Sequence, residues 1–255
     1  VTKVITHRIE CSEVWGGIAN CEARVSTSGL NAALYSSSAS GAKGGDIYYL
    51  SVCDSDLLTR VVIADVVGHG EDVSQMSQFI YDALIRNMNM VGNGVLLAEI
   101  NRIAIEKGIS AITTAVVASY YKPNGEFCFS YAGHHPILVK RTTRSSWQEL
   151  NVNKPETHGS IFNTPLGIIP EAIYTQELIS LNENDRLLFY TDGLIEAANP
   201  QGIQYGIERL KSDLQEKSNL SPICTQNMIL EGIRRYVGGP IGRDDVTMLM
   251  VELAP

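Results

Sequence analysis

The stretch Val61-Val62-Ile63-Ala64-Asp65-Val66-Val67-Gly68-His69-Gly70 decides how this chain folds. Its opening run is apolar and rich in β-branched residues, which suits a buried strand. A glycine-rich turn follows. Beyond it Val73, Met76, Ile80, Ala83, Leu84, Ile85 and Met88 recur at helical spacing. The Met residues read as core filler rather than a binding surface. A strand therefore runs into a helix with Asp65 at the junction. Gly68 and Gly70 let the backbone turn sharply and free the Val66 carbonyl to face a ligand. Glu71 and Asp72 put favourable negative charge at the helix N-terminus. Taken alone, the motif fits a glycine-rich connection capped by Asp65 as well as it fits a ligand site.

On the N-terminal side, strand-like text covers residues 4–9, 23–26, 32–36, 47–52 and 59–64, with Asp54-Ser55-Asp56 as a hairpin turn. A second helix, about 94–106, follows the first and places Leu96, Leu97, Ile100, Ile103 and Ala104 on one face. Then come the runs 112–121 and 126–131, joined by Lys122-Pro123-Asn124-Gly125; Asn-Gly between apolar runs marks a hairpin. Strands at 137–139 and 187–190, helices at about 207–215 and 222–236, and a strand at 246–252 complete the order. Strands and helices grouped in runs predict an α+β fold with antiparallel sheets covered by helices, not a βαβ nucleotide fold.

Three further acidic motifs share the logic of Asp65. Asp192 follows the apolar run Leu187-Leu188-Phe189-Tyr190-Thr191, while Gly44-Gly45-Asp46 and Gly242-Arg243-Asp244-Asp245 stand just before apolar runs. Each alone has an ordinary reading: an Asp-Gly turn, a bulge or hairpin loop, a solvated acidic turn. Together they are harder to dismiss, because carboxylates beside buried strands must be paired or bind metal. No matching cluster of Lys or Arg accompanies them. Hard divalent cations, Mg²⁺ or Mn²⁺, fit such a set better than salt bridges do. That points to an enzyme.

Composition narrows the class. With 44% hydrophobic and 19% charged residues, the chain has the make-up of a globular domain with a sizeable core. The formal net charge of -8 argues against a nucleic-acid partner, which would need a basic patch. Lys140-Arg141-Thr142-Thr143-Arg144 is the densest basic run and reads as a solvated loop. No apolar stretch nears the roughly 20 residues needed to span a bilayer. The start lacks an initiator Met and a signal-peptide layout, which suggests a piece of something longer. Cys11, Cys21, Cys53, Cys128 and Cys224 show no C-x-x-C pair or zinc spacing, so buried free thiols in a reducing, cytoplasmic setting are expected. No linker or repeat is visible, and a single domain over 1–255 follows.

The ordered motifs resemble the PPM superfamily of metal-dependent Ser/Thr phosphatases, in its bacterial SpoIIE-type branch. The resemblance covers about residues 40–252. It takes in Gly44-Gly45-Asp46-Ile47-Tyr48, Ala64-Asp65 through Gly70, Thr113-Thr114-Ala115, Tyr131-Ala132-Gly133-His134-His135-Pro136, Leu188 through Ala197, Tyr205 through Leu210 and Asp244-Asp245-Val246-Thr247. It implies an αββα sandwich, two packed antiparallel sheets flanked by helices, with a two-ion Mn²⁺ or Mg²⁺ site at one end of the strands. By the same resemblance Asp65 would bridge the two ions and the Val66 carbonyl would complete the shell of the first ion. Asp192 and Asp244 would hold the second ion, and Asp46 would reach a metal through water or directly. A metal-activated water would then attack the phosphorus.

The implied activity is hydrolysis of a phosphoserine or phosphothreonine protein in bacterial regulatory signalling. An anti-sigma-factor antagonist is the substrate that members of this branch suggest. A silent PPM-like interaction module and a small-phosphoester hydrolase are the competing readings. The chain departs from the eukaryotic pattern in having Val67 where a His would follow the bridging Asp. His69 is therefore assigned to the turn, and Asp72 to the helix start. His134 and His135 need no more than packing or hydrogen-bonding roles.

Overall fold

The computed structural model describes residues 4–53, 55–68, 70–153, 161–216 and 220–255. Thirteen strands are described. They are β1 (Ile5–Arg8), β2 (Val14–Ala19), β3 (Cys21–Ser26), β4 (Leu30–Ser37), β5 (Lys43–Cys53), β6 (Leu58–Val66), β7 (Thr113–Tyr121), β8 (Glu126–Ala132), β9 (Ile137–Lys140), β10 (Gln148–Leu150), β11 (Gln176–Ser180), β12 (Arg186–Tyr190) and β13 (Val246–Leu253). The helices are α1 (Glu71–Arg86), α2 (Asn93–Ile105), α3 (Asp192–Glu196), α4 (Ile207–Glu216) and α5 (Pro222–Val237). One sheet has seven strands in the order β1-β3-β4-β13-β12-β9-β10, and the other six in the order β11-β8-β7-β6-β5-β2.

Strand β6 explains the layering. Val61 and Ile63 point into the core between the sheets, beside Leu34, Leu50, Phe129, Phe189 and Leu249. Val62 and Ala64 point the other way, with Ile80 and Leu84 of α1 and Leu96 and Ile100 of α2. Successive side chains of a strand alternate faces, so a strand buried on both sides reads as an unbroken apolar run. The seven-stranded sheet repeats the pattern on its outer face. There Leu188, Met248 and Met250 meet Leu210 and Leu214 of α4 and Ile229 and Ile233 of α5. The α+β sandwich with helices outside both sheets is thus as expected. Met76 and Met88 pack against the core under α1, as filler should.

Several elements differ from the sequence reading. The sheets are not wholly antiparallel, because β1 pairs with β3 in parallel. Strand β2 escaped the pattern because Gly16 and Gly17 interrupt its apolar run; a side chain at Gly16 would collide with the Tyr48 carbonyl, so the close pairing requires glycine. Strands β10 and β11 lie at sheet edges, and their polar sequences Gln-Glu-Leu and Gln-Glu-Leu-Ile-Ser carry little β signal. Strand β5 begins at Lys43, which places Gly44-Gly45-Asp46 inside it rather than in a loop before it. The cysteines are free, but only Cys21 is buried; Cys11 and Cys224 are exposed, and Cys53 and Cys128 lie between. Cys11 sits in the turn after β1 and Cys224 on the outer side of α5, where the apolar neighbours in sequence face inward.

The hairpin residues behave as their types require. Ser55 and Asp56 take positive φ at the β5–β6 turn, and Gly125 closes the β7–β8 turn with φ 69. Asp54 and His69 lie outside the described residues, so the turn role assigned to His69 has no structural counterpart here. Leu249 is fully enclosed between the sheets. Leu249→Ala should cost about 2–5 kcal/mol through lost transfer energy and an unfilled cavity. A melting curve should then fall by roughly 5–20 °C, and a shift under about 2 °C would contradict this packing.

Candidate active site

Strand pairing assembles the first half of the site. The antiparallel register of β5 and β6 sets Asp46 opposite Asp65, and β7 sets Thr114 on the other side of Asp65. The second half comes from the other sheet. Strand β12 stops at Tyr190, Thr191 occupies the N-cap of α3, and Asp192 falls in the first helical turn. Asp244 and Asp245 lead into β13, the neighbour of β12.

Three hydrogen-bonded ties join the two sheets at this end. The Thr191 hydroxyl donates to Asp46 Oδ2 at 2.8 Å and accepts from the Thr247 amide at 2.8 Å. Asp245 accepts from the Ala39 amide at 2.7 Å and from the Gly45 amide. His134 is the third tie. Its Nε2 bonds to the Tyr190 carbonyl at 3.1 Å and its Nδ1 to the Thr114 hydroxyl at 3.0 Å. Because a carbonyl can only accept, Nε2 carries the proton and Nδ1 accepts from Thr114. Burial drives the His134 pKa down to about 3, so this ring is a neutral strut and not an acid.

Electrostatics set the acids against one another. Burial, then the charges of Asp192, Asp244 and Asp245, push Asp65 up to about 7. Asp46 is raised well above its ordinary value, first by burial and then by Asp65. Asp192 is raised too, by burial and then Glu196, with His135 and backbone amides opposing. No Lys or Arg figures among the causes of any of these shifts.

The residues suit a hard cation in kind. Asp46 Oδ1 is buried without a hydrogen-bond partner among the described residues, while its other oxygen is taken by Thr191. Gly45 leaves open the space next to Asp65 and the Val66 carbonyl; a Cβ there would sit 2.8 Å from Val66 O and 3.2 Å from Asp65 Oδ1. Carboxylate and carbonyl oxygens are what Mg²⁺ and Mn²⁺ prefer. Among the described residues, however, no three His, Cys, Asp or Glu side chains are drawn together closely enough to grip an ion as they stand.

Asp46, Asp65, Val66, Asp192 and Asp244 thus fall at one end of the sandwich, on both sheets. Asp72 is an exposed first-turn residue of α1, in keeping with a helix-start role. The solvated turn that is the ordinary reading of Asp244-Asp245 does not hold for Asp245, which is buried and clasps the β5 backbone. Sequence reasoning also gave no role to Thr191 or Thr247. The signal available was a Thr beside an acid in both Thr191-Asp192 and Asp245-Val246-Thr247.

Residues 55–254 match the family model described as Stage II sporulation protein E (SpoIIE). That match begins after Asp46, which joins the site through its pairing with Asp65. Over 132 residues the chain is 25% identical to protein IcfG of Synechocystis sp., a stretch covering 50% of this chain and 18% of that protein. The structure of the RsbU and RsbW domains of Rv1364c from Mycobacterium tuberculosis has a TM-score of 0.74 at 24% identity, covering 94% of this chain and 62% of that one. The structure of RsbX in complex with magnesium gives 0.67 at 14% identity, covering 91% and 100%. At these identities the structural likeness speaks for the fold. The chain spans less than two thirds of IcfG and of the Rv1364c structure.

A raised carboxyl pKa has a definite sign in stability. In metal-free protein, folding retains a proton on Asp65 between the ordinary value of 3.8 and about 7. Stability therefore falls as pH rises through that window. Asp65→Asn should melt above the wild type at pH 8 in chelator, with the difference vanishing near pH 4. A wild type that is the more stable of the two at pH 8 would show that the acids do not repel.

Proposed function

This chain belongs to the SpoIIE family, the bacterial branch of the PPM (PP2C) serine/threonine phosphatase domains, and from that premise we propose that it is a metal-dependent protein phosphatase. The observation that carries the reading is the opposition of Asp46 and Asp65 across β5–β6, with Asp192 and Asp244 brought from the other sheet. Asp65, the Val66 carbonyl, Asp192 and Asp244 would hold two Mn²⁺ or Mg²⁺ ions, and Asp46 would reach them through its free Oδ1. Such ions, when bound, supply charge neutralisation at the phosphoryl oxygens and acidify a water.

The remaining residues orient and insulate. Thr191 fixes Asp46 by one oxygen and leaves the other without a hydrogen-bond partner among the described residues. His134 is neutral and its one ring proton is held by the Tyr190 carbonyl, so it is not placed to protonate a leaving group at neutral pH. We read the whole of 1–255 as one phosphatase domain that works in the cytoplasm. Its substrate is a phosphoserine or phosphothreonine regulatory protein, such as an anti-sigma-factor antagonist. No helix among the described residues is long and apolar enough to cross a membrane.

Hydrolysis of an aryl phosphate should require Mn²⁺ or Mg²⁺ and stop in excess chelator. Asp192→Asn should lose about two orders of magnitude or more, the scale of a removed charge stabiliser. Asp72→Ala should change kcat by less than about threefold, because a helix-start acid stabilises the helix end and not the reaction. Undiminished turnover in chelator would refute the proposal. Metal should also stabilise the fold: a cation at about 100 times its Kd adds roughly 2.7 kcal/mol. For a domain of this size that is a Tm rise of about 5–10 °C. Asp65→Asn should abolish most of the rise, and an equal rise in both proteins would place the cation elsewhere.

A further inference from the structure

A groove of about 440 Å³ opens beside the acids, between α3 and the connection from α5 to β13. Asp244 and Gly193 form its inner end, so it is continuous with the candidate active site. Its floor is apolar, made by Ala198, Val237, Pro240 and Ile241. Among the described residues that line it, Arg243 is the one cation, and Glu196 and Asp244 are two anions. We propose that this groove seats the protein chain on one side of the phosphorylated serine, with an apolar side chain on the floor.

The proposal rests on the phosphatase reading, and three features argue for this occupant over others. First, the catalytic acids recognise only the phosphate, so discrimination between phosphoproteins needs a neighbouring surface within a few residues' reach. The shared Asp244 and Gly193 put this surface in contact with that centre. Second, apolar floors with a small number of polar groups at one end are the usual form of a specificity pocket. Third, Glu196 and Asp244 outnumber Arg243 in the lining, on a chain of formal net charge -8, so an acidic flank is disfavoured and an apolar one fits. A glycine at position 193 is required here in any case, because any side chain would strike the Asp245 carbonyl. The same constraint keeps the inner end of the groove open.

Two phosphoserine decapeptides test the idea. One carries leucine at the two positions on each side of the phosphoserine, and the other carries glycine there. Wild-type protein with Mn²⁺ should prefer the leucine peptide at least fivefold in kcat/KM, chiefly through KM. Ala198→Trp, which fills the groove, and Ile241→Glu, which charges its floor, should erase the preference. Both should keep wild-type turnover of an aryl phosphate, which is too small to use the groove. A leucine preference that is absent in wild type, or that survives in Ala198→Trp and Ile241→Glu, would overturn the proposal. If the wild type cleaves neither peptide nor aryl phosphate, the phosphatase reading fails. The groove is then judged separately, by fluorescence anisotropy of the same labelled peptides with wild type and both groove variants.

Discussion

The hydroxyl of Thr191 is the constraint on which the site depends. It donates to Asp46 on one sheet and accepts from the Thr247 amide on its own sheet. Stacked sheets are held roughly 10 Å apart by the side chains between them, so acids carried on different sheets do not meet unless something draws the strand ends together. A hydroxyl can donate and accept at once, which an amide hydrogen or a methyl cannot. Replacing it by an isosteric apolar group would strand a buried carboxylate oxygen, a loss of about 1–3 kcal/mol. Asp245 and His134 make further ties between the sheets, through Gly45 and through Thr114 and Tyr190, but it is Thr191 that fixes Asp46 itself.

Close approach is the second requirement, and glycine meets it at two places. At Gly193 any side chain would collide with the Asp245 carbonyl, and at Gly44 with the Asp245 carboxylate. Gly44 lies on β5 and Gly193 in α3, yet both pack against the same residue. Asp245 therefore acts as the hub against which β5 and α3 are both seated. That explains why an acid next to Asp244 is buried. Its charge is met by two backbone amides, the usual way a buried carboxylate is made tolerable.

Much of this was legible in the sequence, for identifiable reasons. Strands buried on both faces, such as β6 and β13, announce themselves as unbroken apolar runs. Helices α1, α2, α4 and α5 show their inward faces at 3.6-residue spacing, and the acids at strand ends stand out as costly. Elements at the margins carry no such signal. Strand β2 depends on glycines that fit against Tyr48, β10 and β11 on polar edge residues, and the parallel pairing of β1 on which neighbour it finds in three dimensions. The ties were illegible for a different reason. A threonine that bridges two sheets, or an aspartate that clasps an amide some two hundred residues away, has a local sequence no different from an exposed turn.

Charge then imposes an order on events at the site. The protein is acidic overall, with a formal net charge of -8, and the end of the sandwich that would receive a phosphate is lined with carboxylates. A phosphoserine side chain itself carries about -1.5 to -2 at neutral pH. Without cations, approach of such a group is repelled both at long range and at contact. A proton on Asp65 relieves only one of the repulsions among the acids, and burial together with neighbouring charge holds it there up to about pH 7. Divalent ions, if held there, would relieve all of them at once and reverse the sign that a phosphate meets. Under the proposed function, cations would therefore have to bind before a phosphorylated substrate. The proposed groove would then add selectivity through its apolar floor, with the ions supplying the electrostatic part of recognition.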